Sequence, residues 1–425
     1  GVAKSNLPSG TYIPFLYNRG ASSVLNANFG QDSSFAGAET RQNNSDGNGY
    51  GDFYYAPPSG YLALCTQNLA TELSPTIDDG SQYFNTVTYS GTGATRSITG
   101  LGFSPDWTWI KERNNAVSHR LFDSVRGATK RMFSNNSDAE STATNSLTSF
   151  DSDGFSLGDS GSVNGGSDTY VAWNWRGSDS SAVSNTDGSI TSTVSANTTS
   201  GFSIVTYTGN GSDNSTIGHG LGATPSAIIL KRRSQADDWA MYHTGLTSGK
   251  EINLNYTNAE KTDVNNATWG DNYPSSINSS TFAVGYAGDS NENSATYVAY
   301  CFAEIQGYSK FGSYTGNGTD NDGPMVYLGF KPSFLLVKNF SNTGEWGMFD
   351  SKRNTFNVVN ARLSADSDGA EYSGDSNRDF DFLSNGFKVR NGSADVFNTS
   401  GQTHIYMAFA EHPFVSSKGV PTTAR

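Results

Sequence analysis

Only two cysteines, Cys65 and Cys301, occur in 425 residues. Two are too few for a disulfide framework or a structural zinc site. The five histidines show no His-Glu-x-x-His or comparable ligand spacing. There is no Gly-x-Ser-x-Gly elbow and no phosphate loop. These absences lead us to expect no catalytic residues, no metal ligands and no cofactor, so the chain reads as a non-enzyme. Charged residues are scarce, at 16% against roughly 25% in ordinary domains. No apolar run approaches the ~20 residues that a membrane helix needs. No segment keeps an i, i+3, i+4, i+7 apolar pattern, which argues against helical bundles and coiled coils. No signal peptide is visible and the first residue is not Met, as in a processed product or a fragment of a longer chain.

What charge there is carries one sign. The net charge of −13 repels nucleic-acid phosphates and anionic membranes, so neither is an expected partner. Glycine is abundant, with 47 residues, and aromatics reach 12%. Ser, Thr, Asn and Gly separate short aromatic and β-branched runs. That pattern predicts an all-β chain of many short strands with several small cores.

The chain repeats itself three times. The copies open at Tyr89-Ser-Gly-Thr-Gly93, Tyr207-Thr-Gly-Asn-Gly211 and Tyr314-Thr-Gly-Asn-Gly318. They lie one small domain apart, too far for solenoid units. Each continues with an apolar strand ending in Lys111, Lys231 or Lys338. An aromatic-centred strand follows, beginning at His119, Trp239 or Trp346. A long polar stretch comes next, then a turn and strand at Asp153-Gly154, Ser280-Thr281 or Asn385-Gly386. Each copy closes on an apolar strand beginning at Tyr170, Tyr297 or Tyr406. In this alignment Cys301 is matched by Asn174 and Ala410, so no disulfide belongs to the module. The expected domains are 1–70, 87–176, 201–304 and 311–413, with the three repeats forming a row of modules.

Residues 1–70 differ from the repeats. Pro14-Phe15 and Asn28-Phe-Gly-Gln31 resemble the C-terminal part of a SPRY-type domain, a concanavalin-like jelly-roll sandwich. The repeats resemble a module of tail-associated and appendage proteins of marine tailed bacteriophages. Its markers are the Tyr-x-Gly-x-Gly start, the Pro-x-x-(apolar)₃-Lys strand and the Tyr-Val-Ala-aromatic strand. The resemblance implies tandem β-sandwiches at a virion surface, working as a structural appendage such as a tail fibre. It also implies other virion proteins as partners, a homotrimer, and attachment to a host surface glycan. A capsid decoration or head-fibre protein is the first alternative, and a cellular carbohydrate-binding lectin the second.

Candidate ligand contacts come from the aromatics. Side chains alternate along a strand, so Val171, Trp173 and Trp175 share one face, as do Val298, Tyr300 and Phe302, and Met407 with Phe409. These faces read as sandwich core. His119, Trp239 and Trp346 recur at one position, either as packing residues or as ligand contacts. The polar segments 134–149, 255–279 and 364–380 vary most between copies, where binding loops are expected. Within them Trp269 and Tyr273 are the candidates for stacking on a sugar, because an aromatic in an Asn/Gly-rich loop has less core to join. The three lysines read as structural. Asp151-Ser-Asp153-Gly154 and Asp366-Ser-Asp368-Gly369 echo fragments of a calcium loop, but a hairpin turn explains Asp153-Gly154 without metal.

Overall fold

A computed structural model of the chain describes residues 28–35, 37–63, 68, 77, 79–178, 180–374, 379–390 and 396–413. They fall into two compact units, Gly1–Ser74 and Pro75–Arg425. In the first unit the described residues form turns and one isolated bridge, Asn44 to Phe53. The Asn28 side chain ties its turn together, donating to the carbonyls of Asp32 and Asp52 at 2.9 and 3.0 Å and accepting from the Gly30 amide at 2.6 Å. Among the described residues of this unit no strand ladder is formed. Pro14, Phe15 and Cys65 lie outside the described residues.

The second unit holds three sandwich modules, each an inner sheet covered by a smaller outer one. In module 1 the inner sheet runs Phe84–Ser90, Thr169–Trp175, Trp107–Glu112, Arg120–Asp123. Its outer sheet is Arg96–Thr99, Gly154–Leu157, Leu147–Asp151. Module 3 repeats this with Ser309–Thr315, Thr403–Pro413, Phe330–Asn339, Trp346–Asp350 and Leu363–Ser364 inside, and Met325–Tyr327, Gly386–Val389 and Phe380–Leu383 outside. Module 2 has Phe202–Thr208, Thr296–Phe302, Ala227–Arg232 and Trp239–His243 at the same inner positions. Val183–Asn185 and Ser192–Asn197 extend that sheet at one end, and Lys250–Asn253 and Lys261–Thr262 at the other. Ser215–Gly218 and Thr281–Val284 form its outer sheet. All pairings within these sheets are antiparallel. The all-β class read from the sequence is what the structure shows.

The modules do not stand in a row. Trp107–Glu112, Ala227–Arg232 and Trp239–His243 are buried at every residue, which a sheet with one wet face does not allow. One face of each inner sheet meets its own outer sheet. The other meets the two neighbouring modules. Trp175, Phe302 and Phe409 occupy equivalent positions and meet pairwise, with ring centroids 6.4, 5.7 and 5.9 Å apart. Trp107 stacks on Tyr300 at 4.3 Å, and Phe84 packs on Phe334 at 5.6 Å. The closing-strand faces picked out in the sequence therefore line one shared aromatic core around a pseudo-threefold centre. A homotrimer of the whole chain would have to use other surfaces.

Cross-strand pairing corrects the sequence alignment of the third copy. Tyr89 pairs with Tyr170, Tyr207 with Tyr297, but Tyr314 with His404. Each couple is stacked, at 5.2, 5.1 and 4.9 Å. His404, not Tyr406, is thus the counterpart of Tyr170, and Ala408, not Ala410, that of Cys301. The Tyr-x-Gly-x-Gly start has a steric cause. A Cβ on Gly91, Gly209 or Gly316 would stand 2.0, 2.4 or 2.4 Å from a facing carbonyl oxygen. The loop after each glycine is held by a buried Asn: the amides of Thr92, Asn210 and Asn317 donate to the side-chain oxygens of Asn164, Asn291 and Asn398 at 3.0, 2.9 and 3.0 Å.

Candidate functional site

The recurring His119/Trp239/Trp346 position is a set of pins between modules. All three are buried. Trp239 Nε1 of module 2 donates to the Phe133 carbonyl of module 1 at 2.8 Å, and Trp346 Nε1 of module 3 to the Asn253 carbonyl of module 2 at 3.1 Å. His119 Nε2 of module 1 closes the cycle at 2.9 Å from the Ser364 carbonyl of module 3. None presents a face to a ligand, so the ligand-contact expectation for these three is corrected. Lys231 and Lys338 follow the same cycle, donating to the carbonyls of Ser137 at 3.3 Å and Thr257 at 2.8 Å. Burial pulls the pKa of Lys111, Lys231 and Lys338 down to about 8, and each is engaged by backbone carbonyls.

The segments expected to bind ligands are instead clasps. Glu140, Glu260 and Glu371 sit in the polar segments 134–149, 255–279 and 364–380. Their amides donate to the carbonyls of Arg233, Phe340 and Arg113 at 3.0, 2.9 and 2.6 Å, each on the next module. Two clasps add buried charge. Asp123 Oδ2 accepts from Arg126 and, at 2.7 Å, from Tyr300 of module 2, while Glu140 bridges Arg126 and Arg233. Asp350, Arg353, Glu371, Arg113 and Trp173 repeat the arrangement between modules 3 and 1. Between modules 2 and 3 the Asp and Arg positions are His243 and Leu246, and His243 Nε2 lies 3.0 Å from the Tyr406 carbonyl.

Trp269 and Tyr273 are also corrected as stacking candidates. Trp269 is fully buried in the module 2 core. Its Nε1 donates to Glu251 Oε2 at 2.9 Å. Tyr273 stacks on it at 5.8 Å and donates its hydroxyl to the Lys250 carbonyl at 2.6 Å. The segment folds back over its own sheet, which its Asn/Gly-rich composition conceals. Burial raises the pKa of Glu251, which pairs with Lys261 at 3.2 Å, and pushes half-buried Asp289 up to about 7. This carboxyl pair occurs in one module, and Glu251 is committed to anchoring Trp269 and Lys261. The Asp153 carboxylate is also engaged, accepting from the amides of Gly100 and Gly102 at 3.0 and 2.7 Å, which supports the turn reading. Among the described residues no group of three or more His, Cys, Asp or Glu could hold a metal ion.

An open aromatic surface lies on the outer sheet of module 3. Tyr327 is 63% exposed and Met325 44%. Tyr327 pairs with Gly386, which pairs with Leu383 on the far strand. Gly386 is itself buried and puts no side chain between the Tyr327 and Leu383 positions, which lie two strand spacings or roughly 10 Å apart. The glycine is obligatory, since a Cβ there would stand 2.0 Å from the Val326 carbonyl oxygen. The next row is Met325, Lys388 and Asp381. Lys388 pairs with Asp322 at 2.8 Å and Asp381 with Arg390 at 3.0 Å. Phe356, 75% exposed, stands in the loop whose Asn357 side chain binds the edge strand at Phe382. The other outer sheets are polar at this face: Ser97 faces Ser156 at 2.9 Å in module 1, and Thr216 is bound by Ser189 in module 2. Sequence reasoning missed Tyr327. The signal available was Tyr327 paired across from an Asn-Gly turn strand, legible only once the register is known.

The model of a family described as a domain of unknown function, DUF7483, matches residues 79–413, which span all three modules. No curated protein and no solved structure matches the chain.

Proposed function

The chain belongs to the DUF7483 family of unknown function, and from that premise we propose that it is a structural component of a virion appendage that attaches to a host surface glycan. The resemblance of its repeats to bacteriophage appendage modules supports the virion half. The attachment half rests on one observation: among the described residues of three equivalent outer sheets, only that of module 3 exposes an aromatic ring, with paired charges in the next row. A tyrosine face stacks on the apolar face of a pyranose, while Lys388, Asp381 and Asp322 offer hydrogen bonds to hydroxyls. Three modules locked on one core hold that surface rigidly, which lowers the ordering cost of binding.

Two experiments test this reading. Immunogold electron microscopy of source particles should place the chain on a distal appendage; label over the head favours the decoration alternative, and label on no particle favours a cellular lectin. A glycan array should return a saturable ligand whose binding falls at least about tenfold in Tyr327→Ala. Equal binding by that variant would remove the module 3 surface from the proposal.

A further inference from the structure

Module 1 has an open sheet edge that module 2 shows how to close. The strands Phe84–Ser90, Phe202–Thr208 and Ser309–Thr315 are equivalent, each paired on one side with its closing strand. In module 2 the other side is covered. Ser192–Asn197 pairs antiparallel with Phe202–Thr208, from Ser192 opposite Tyr207 to Asn197 opposite Phe202. Just before it, Ile190 makes a parallel bridge to Ile217 of the outer sheet. One segment therefore seals the gap between the two sheets. Beneath it Val205 and Tyr207 are buried.

Module 1 carries the same two side chains, Val87 and Tyr89, at these positions, yet both are only half-buried and Thr88 between them is exposed. Among the described residues no strand pairs with the outer edge of Phe84–Ser90, which ends its sheet. A groove of about 360 Å³ runs there between Phe84–Ser90 and Arg96–Thr99. Thr86 lines it, with its buried hydroxyl lacking a hydrogen-bond partner. Module 3 needs no cover, because Gly312 replaces the valine and the Tyr406 hydroxyl lies where its Cβ would be, at 2.7 Å. The module 1 groove is also cationic. Arg96, where module 2 has Ser215, lies over the Tyr89 ring at 5.8 Å and donates to the Ser90 carbonyl at 2.6 Å. Lys352 of module 3 lines the same groove.

We propose that module 1 binds an extended acidic segment of a partner polypeptide, which adds to Phe84–Ser90 as an antiparallel strand. Main-chain hydrogen bonds supply the affinity and alternate side chains the specificity. A β-branched residue covers Val87 as Val194 covers Val205, and a small polar residue faces Tyr89 as Ser192 faces Tyr207. An acidic residue meets Arg96. The local cation Arg96, where module 2 has Ser215, is what selects an acidic occupant.

The probe is a synthetic peptide with the sequence of residues 187–198, alone and with two added aspartates, titrated by fluorescence anisotropy against the full chain. Saturable binding is expected, tighter for the aspartate form. It should weaken at least about tenfold in Val87→Lys and lose the aspartate preference in Arg96→Ser, which restores the module 2 residue. Thermal unfolding checks that both variants are folded. Hydrogen exchange supplies the independent measurement: in the free chain the amides of 85–89 should exchange faster than those of 203–207, and peptide should slow the first set only. Absent binding, equal protection of both sets in the free chain, or concentration-dependent dimerisation through this edge would each overturn the proposal.

Discussion

His119 is held neutral. Burial first, then the charge of Lys111, takes its pKa down to about 3; Arg120 acts in the same direction, and the backbone at Ser364 and Ser367 opposes. In the unfolded chain the ring titrates near 6.5. As pH falls through that value the unfolded state gains a proton that the folded state refuses. The contribution of neutral His119 is thus complete above pH 6.5 and lost progressively toward pH 3. Urea unfolding at pH 7 and 4.5 should show the wild-type chain losing about 2–3 kcal/mol more than His119→Gln over that interval; equal losses would contradict it. Trp269 makes a second point at this scale. Its neighbours in sequence are Thr, Gly, Asn and Asp, the company of an exposed loop, but its N–H ends on the Glu251 carboxylate inside a core. Replacing it with Ala should therefore cost about 3–5 kcal/mol of stability, read as a lowered denaturant midpoint. What such a residue is could be read from the sequence; what covers it could not, because the covering strand is contributed from elsewhere in the module.

Strands were the legible elements. The apolar runs ending in Lys111, Lys231 and Lys338, and the aromatic strands after them, fall where composition places them. The third closing strand sits two residues away from the register that its Tyr406-Met-Ala-Phe409 motif suggests. Strand faces repeat every second residue, so a shift of two keeps Met407 and Phe409 on the correct face and alternation cannot detect it. Only the Tyr314–His404 pair does. The polar segments were legible as variable but not as clasps, since their partners are backbone carbonyls of another module. Two of the three clasps carry a buried Asp–Arg pair and the third carries His243 and Leu246. Arg126→Leu alone strands the Asp123 carboxylate and should destabilise by about 3–5 kcal/mol. Asp123→His combined with Arg126→Leu, the solution module 2 uses, should recover part of that loss. A double-mutant cycle reads the coupling directly; strictly additive losses would show that the pair does not act as a unit.

Closure around a common centre belongs to the whole molecule, and no local pattern announces it. Repetition reveals three similar modules, and a row and a ring share the same repeats. Burial on both faces of the inner sheets was the nearest signal, visible as apolar runs without alternation. The shared core predicts one cooperative unfolding transition for residues 79–413. Trp175→Ala, which removes one of the three rings meeting at the centre, should lower that transition by about 3–5 kcal/mol without splitting it. Differential scanning calorimetry decides, and separate transitions for the modules would contradict the shared core. Gly80 packs so closely on the last strand that a Cβ there would stand 2.8 Å from the Ala410 carbonyl oxygen. The polypeptide thus enters and leaves the three-module unit at one point. Mechanical tension applied at residues 80 and 410 would load the contact between those two segments and bypass the modules. In a longer chain the unit would behave as a knob hung from the line of force, adding bulk and surface while contributing almost nothing to length until that one seam shears.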